Sequence, residues 1–92
     1  MTKKIIRDFA ITNEKGLHAR ASAKFVETVE KFDATAQIWK DGLDASGDSI
    51  MGLLMLAASK GTCIKVETNG AQALELANAL EALLDSRFGE EC

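Results

Sequence analysis

Proline is absent from the 92 residues, and no Ser-rich or Gly-rich tract serves as a linker in its place. With no linker, no repeat at a solenoid period and no low-complexity segment, residues 1–92 are expected to form a single domain. The length agrees, because a chain this short has material for one core only. Cysteine is scarce: Cys63 and Cys92 stand far apart and make no disulfide framework. Histidine occurs once, at His18, and no cysteine pair has ligand spacing. The common zinc sites therefore cannot be assembled from one chain, and neither metal nor cofactor is expected. No apolar run approaches the roughly 20 residues that span a bilayer. The start Met1-Thr2-Lys3-Lys4 leads into a mixed segment without a signal-peptide core, so a cytoplasmic location without membrane insertion is expected. Neither G-x-x-x-x-G-K-[ST] nor G-x-G-x-x-G occurs, and ATP binding is not encoded.

What is present suffices to fold. The chain is 47% hydrophobic and 27% charged, too apolar for a disordered segment. Fourteen acids against eleven bases give a net charge of −3, which argues against non-specific attraction to nucleic acid or anionic membrane. The charge is uneven: residues 1–31 hold seven bases and four acids, residues 32–92 four bases and ten acids. The end around His18 is locally positive, which suits an anionic group or an acidic partner, although clusters of this size are usually a solvated face.

Lys4 to Thr12 reads as a strand whose buried face holds Phe9 and Ile11. Beyond Asn13-Glu14-Lys15-Gly16 the apolar period becomes helical, with Ala19, Ser22, Phe25, Val26, Val29 and Phe32 inward and Lys24, Glu27, Thr28 and Lys31 toward solvent. His18 falls in the first turn. Thr35 to Lys40 is a second strand, and Asp41-Gly42 favours a tight hairpin into a short third strand at Leu43 to Ala45. Ser46-Gly47-Asp48-Ser49 offers N-capping groups for a short helix over Ile50 to Ala58. After Gly61, Thr62 to Thr68 alternates as a fourth strand, with Cys63 free to join either face, and Asn69-Gly70 turns the chain. Ala73, Leu76, Ala77, Leu80, Leu83 and Leu84 form the stripe of a last helix. The order β-α-β-β-α-β-α, with alternating strands and striped helices, implies an α+β fold, a four-stranded antiparallel sheet covered on one side by three helices. The β-α-β-β-α-β portion equally fits a ferredoxin-like domain that binds a small ligand without phosphoryl transfer, so topology leaves function open.

Gly16-Leu17-His18-Ala19-Arg20 places an imidazole where a loop enters a helix. A helix start presents unpaired amides and the positive end of the macrodipole, which favour an anion. The imidazole's neutral form is well populated near neutral pH and is a competent nucleophile, and the Arg20 fork could clamp phosphoryl oxygens. The plainer role for an isolated histidine there is a helix cap. The middle helix is unusual, since Ile50, Met51, Leu53, Leu54, Met55 and Leu56 leave no polar face. With Leu53 and Leu56 toward the core, Ile50, Met51, Leu54 and Met55 are partly exposed and form a docking surface; deeper burial or a homodimer contact are the alternatives. Ser46 and Ser49, each taken alone, are better caps than phosphate acceptors.

Gly16-Leu17-His18-Ala19-Arg20 closely resembles the phosphorylation-site motif of HPr, the histidine phosphocarrier family of the bacterial phosphotransferase system. Ser49-Ile50-Met51-Gly52 is similar to that family's regulatory-serine segment and lies at the expected distance. The resemblance runs from first strand to last helix. It implies an open-faced β-sandwich, a cytoplasmic monomer rather than an enzyme. His18 would accept, through Nδ1, a phosphoryl group that enzyme I draws from phosphoenolpyruvate, and pass it to an enzyme IIA. Arg20 would stabilise the phosphoryl oxygens, Ile50, Met51 and Leu54 would dock the partners, and Ser49 would be the target of an HPr kinase/phosphorylase. Two positions depart from the family. Ala21 stands where proline commonly presets the first helical turn, and Ala21-Ser22 resembles the nitrogen-related branch of the system. Asp48 stands where kinase-regulated members often have lysine, and its charge opposes an added phosphate on Ser49.

Overall fold

In the computed structural model, which describes residues 3–89, four strands form one antiparallel sheet in the order β1-β4-β2-β3. The elements are β1 (Lys3–Ala10), α1 (Ala19–Glu30), β2 (Thr35–Lys40), β3 (Leu43–Ser46), α2 (Ile50–Met55), β4 (Cys63–Gly70) and α3 (Ala73–Asp85), followed by a 3-10 turn at Arg87–Gly89. Alternation sorts the strands. Ile64, Val66 and Thr68 of β4 and Ala36 and Ile38 of β2 point beneath the helices, while Cys63 and Lys65 lie on the open face. The register aligns these faces, pairing Phe9 with Ile64 and Ile38 with both Val66 and Ala45. Phe25 of α1, Leu53 of α2 and Leu76 and Leu80 of α3 complete the core with no exposed surface. Each such side chain contributes about 1.5–3 kcal/mol on leaving water. The buried hydroxyl of Thr68 donates to the Ala73 carbonyl at 2.8 Å, so the core carries that polar group satisfied. Arg7 fastens edge strand β1 to α3 through Asn78 Oδ1 at 2.9 Å and Glu81 Oε1 at 3.1 Å.

Several boundaries move from the sequence expectation. β1 ends at Ala10, although Phe9 and Ile11 are both buried as expected. β4 runs through Asn69 and Gly70, which pair with Thr35 and Lys3, so the turn falls after them rather than on them. α2 stops at Met55, and Ala57 takes φ +52°, a left-handed conformation that closes the helix before Ala58. In α1 the inward stripe passes through Ala21, which is buried, and not Ala19, which is exposed. The Asp41-Gly42 hairpin has φ +50° and +82°, the two positive values of a tight turn matched to strand twist. Cys92 lies outside the described residues.

Candidate functional site

The loop before α1 is fixed by its own backbone. Ile11 N–H donates to Thr62 O at 2.8 Å and Gly61 N–H to Ile11 O at 2.9 Å, joining the loop to the segment before β4. Asn13 is fully buried and its Nδ2 donates to the Gly16 carbonyl at 2.8 Å. Gly16 has φ +64°, and a Cβ there would lie 2.3 Å from the Ala58 carbonyl oxygen, so only glycine fits. Leu17 is buried, and its N–H donates to that same Ala58 oxygen at 2.8 Å. Ser22 Oγ donates to the Leu17 carbonyl at 3.2 Å. With Gly16 and Leu17 immediately before it buried, His18 is the next side chain after the exposed Glu14 and Lys15 to reach solvent, and it is half-buried.

His18 is the N-cap residue of α1 rather than a member of its first turn, with extended backbone at φ −74° and ψ 179°. Its carbonyl accepts the first intrahelical bond from Ser22 N–H at 2.8 Å. Its side chain makes no capping hydrogen bond, so the plainer expectation of a histidine that caps the helix does not hold. Helix geometry places the amides of Ala19, Arg20 and Ala21 ahead of that first bond, and they are the donors a helix start offers to an anion. No acidic side chain occupies the first turn of α1. His18 and Arg20 line one depression of about 380 Å³ with Lys15, Ala21, Lys24, Phe88 and Gly89. Three residues with cationic side chains thus line the same depression as the one imidazole.

The structure places the other expected residues on α2. Ser49 is its N-cap, and its Oγ accepts the Gly52 N–H at 3.0 Å. Ser46 instead donates to Asp48 Oδ1 at 2.5 Å, which assigns the capping role to Ser49 alone. Leu53 and Leu56 face the core, Ile50, Met51 and Met55 are exposed at 40%, 67% and 75%, and Leu54 is half-buried. His18 and Arg20 are brought together; Ser49 and the α2 apolar side chains lie outside the depression. The sequence pattern missed Lys24 and Phe88. Lys24 falls on the polar side of the α1 period yet is half-buried, and Phe88 follows the last helix where no periodicity signals burial. Among the described residues, no helix is long and apolar enough to cross a membrane, and no cluster of three or more His, Cys, Asp or Glu side chains could hold a metal ion.

Residues 5–86 match the family model described as PTS HPr component phosphorylation site. This chain belongs to the HPr family. The phosphocarrier protein HPr of Neisseria meningitidis serogroup A is 49% identical over 80 residues, covering 87% of this chain and 90% of that protein. The phosphocarrier protein NPr of Escherichia coli K12 is 42% identical over 82 residues, covering 88% and 91%. Among solved structures, HPr-C-His from Thermoanaerobacter tengcongensis superposes with a TM-score of 0.88 at 38% identity, covering 98% of this chain and 99% of that one. The open-faced sheet with three helices is therefore the HPr fold, and the protein is a phosphocarrier of the phosphotransferase system. The ferredoxin-like alternative is not favoured.

Proposed function

We propose that residues 1–92 act as one monomeric cytoplasmic domain that carries a phosphoryl group on Nδ1 of His18 between phospho-enzyme I and an enzyme IIA. The observation that carries this assignment is the depression itself, in which the chain's single histidine stands at a helix start with Arg20, Lys15 and Lys24 around it. In the first step the Nδ1 lone pair forms the N–P bond while the bond from phosphorus to the donor on enzyme I breaks, its electron pair remaining on the donor. The second step repeats this in reverse toward a histidine of enzyme IIA. Nothing is consumed on the carrier, which is a stoichiometric relay and not a catalyst. Arg20 is exposed and can reach phosphoryl oxygens with two parallel N–H groups. The helix amides are already aimed where negative charge arrives, so little reorganisation is needed at the moment of transfer.

Docking falls to α2. Ile50, Met51 and Leu54 offer an apolar surface with flexible methionine, suited to partners of different shape. An HPr kinase/phosphorylase acting on Ser49 would add about 1.5 to 2 negative charges at the rim of that surface and so reduce transfer. The relay is tested by a chase. Protein phosphorylated with phosphoenolpyruvate and enzyme I is freed of both, then mixed with enzyme IIA. The label is expected to move to enzyme IIA; label that stays on the carrier with every IIA of the same cell contradicts the assignment.

A further inference from the structure

One cation at the depression is not accounted for by the motif. Lys24 lies one turn beyond Arg20 on α1, where the helical period sends it to solvent, yet its Nζ donates to the Phe88 carbonyl at 2.5 Å. That carbonyl belongs to a turn of uncommon backbone: Arg87, Phe88 and Gly89 have φ of +55°, +57° and +72° in succession. Left-handed backbone at an arginine and a phenylalanine is unfavourable in isolation. Burial of the Phe88 ring, 3% exposed in the core, offsets it. The turn also lies directly against the amine, since a Cβ on Gly89 would sit 3.0 Å from Lys24 Nζ. A buried ring anchors the turn, the turn presents a carbonyl, and the carbonyl holds the ammonium beside the depression that His18 and Arg20 line.

We propose that Lys24 is a phosphoryl-contacting cation of this site, positioned by the Phe88 carbonyl. The inference rests on His18 as the phosphoryl acceptor. An ammonium has three N–H donors, and the carbonyl takes one of them. The others serve phosphoryl oxygens that enter the depression. A phosphoryl group brings about two negative charges, which one guanidinium does not neutralise. Lys24 supplies the second positive charge from a fixed position, so no freely rotating side chain must be ordered at transfer. Lys15 also lines the depression but is exposed, and among the described residues no comparable contact fixes its amine.

The test is the equilibrium of phosphoryl transfer between enzyme I and the carrier, compared for wild type, Lys24→Gln and Lys24→Arg. Glutamine keeps an N–H donor on a side chain one atom shorter and removes the charge. Lys24→Gln is expected to shift the equilibrium toward phospho-enzyme I by roughly ten- to a hundredfold, the size of one charge-assisted contact. The shift should shrink at high salt, and Lys24→Arg should restore the wild-type ratio. An unchanged equilibrium in Lys24→Gln overturns the proposal, and so does a lowered Tm with transfer unaffected, which assigns Lys24 to the fold alone. Absence of phosphate from the wild type is a separate result, which removes His18 as acceptor and the role of Lys24 with it.

Discussion

An outward-facing imidazole at an N-cap is unusual because capping positions favour Ser, Thr, Asp and Asn, whose oxygens satisfy helix amides. Here Gly16 and Leu17, immediately before it, are buried and bonded to Asn13 and Ala58, and the imidazole makes no capping hydrogen bond to α1. Arg20 is exposed and makes no contribution to the core, so Arg20→Ala should alter stability by no more than about 0.5 kcal/mol. Transfer from enzyme I should slow by roughly ten- to a hundredfold through lost phosphoryl stabilisation. Stopped-flow or quench measurements read that rate, and an unchanged value takes Arg20 out of the site. At this scale the sequence was legible where a residue type is rare. One histidine beside one arginine at a loop-to-helix boundary could be found by eye. Lys24 could not, because its partner is a backbone carbonyl 64 residues away, and no pattern of side chains reports a carbonyl.

At the scale of elements, the loop before α1 and the segment after α2 are joined where Gly16 and Leu17 meet the Ala58 carbonyl. Gly16→Ala puts a Cβ both into left-handed backbone and 2.3 Å from that oxygen. It should cost about 1–3 kcal/mol, seen as a lower Tm, and should slow phosphoryl transfer because the loop that presents His18 must shift. A full-stability Gly16→Ala protein would show that the loop can yield freely. On α2, Met51→Glu and Ser49→Asp place negative charge on the surface assigned to docking. Met51 is the cleaner site than Leu54, which is half-buried and would mix docking with stability. Both substitutions should raise the apparent KM of enzyme I for the carrier with the far-UV spectrum unchanged. Ser49→Asp retains a carboxylate able to accept the Gly52 N–H, so its helix should persist. Wild-type kinetics in both at low donor concentration would move docking away from α2. The length of α2 was not legible because apolar residues continue through Ala58, and the positive φ at Ala57 leaves no signature in an alanine.

For the whole molecule, alternation and helical stripes sufficed for element order and for the layer of helices over one sheet face, since burial imposes both periods. Strand order was not contained in them: β4 lies between β1 and β2, a pairing that only the folded chain brings about. The C-terminal turn was hidden as well, because a single aromatic after a helix has no period to read. What the fold accomplishes is an uneven surface, with cations gathered around His18 on a chain whose net charge is −3. That asymmetry is meaningful only if His18 takes up the phosphoryl group. Intact-mass measurement after incubation with phosphoenolpyruvate and enzyme I tests this most directly, run on wild type and on His18→Ala. One phosphate on the wild type, lost in acid and stable in base as an N-phosphoryl bond requires, and none on His18→Ala is the predicted result. Equal phosphate on the two proteins would contradict it.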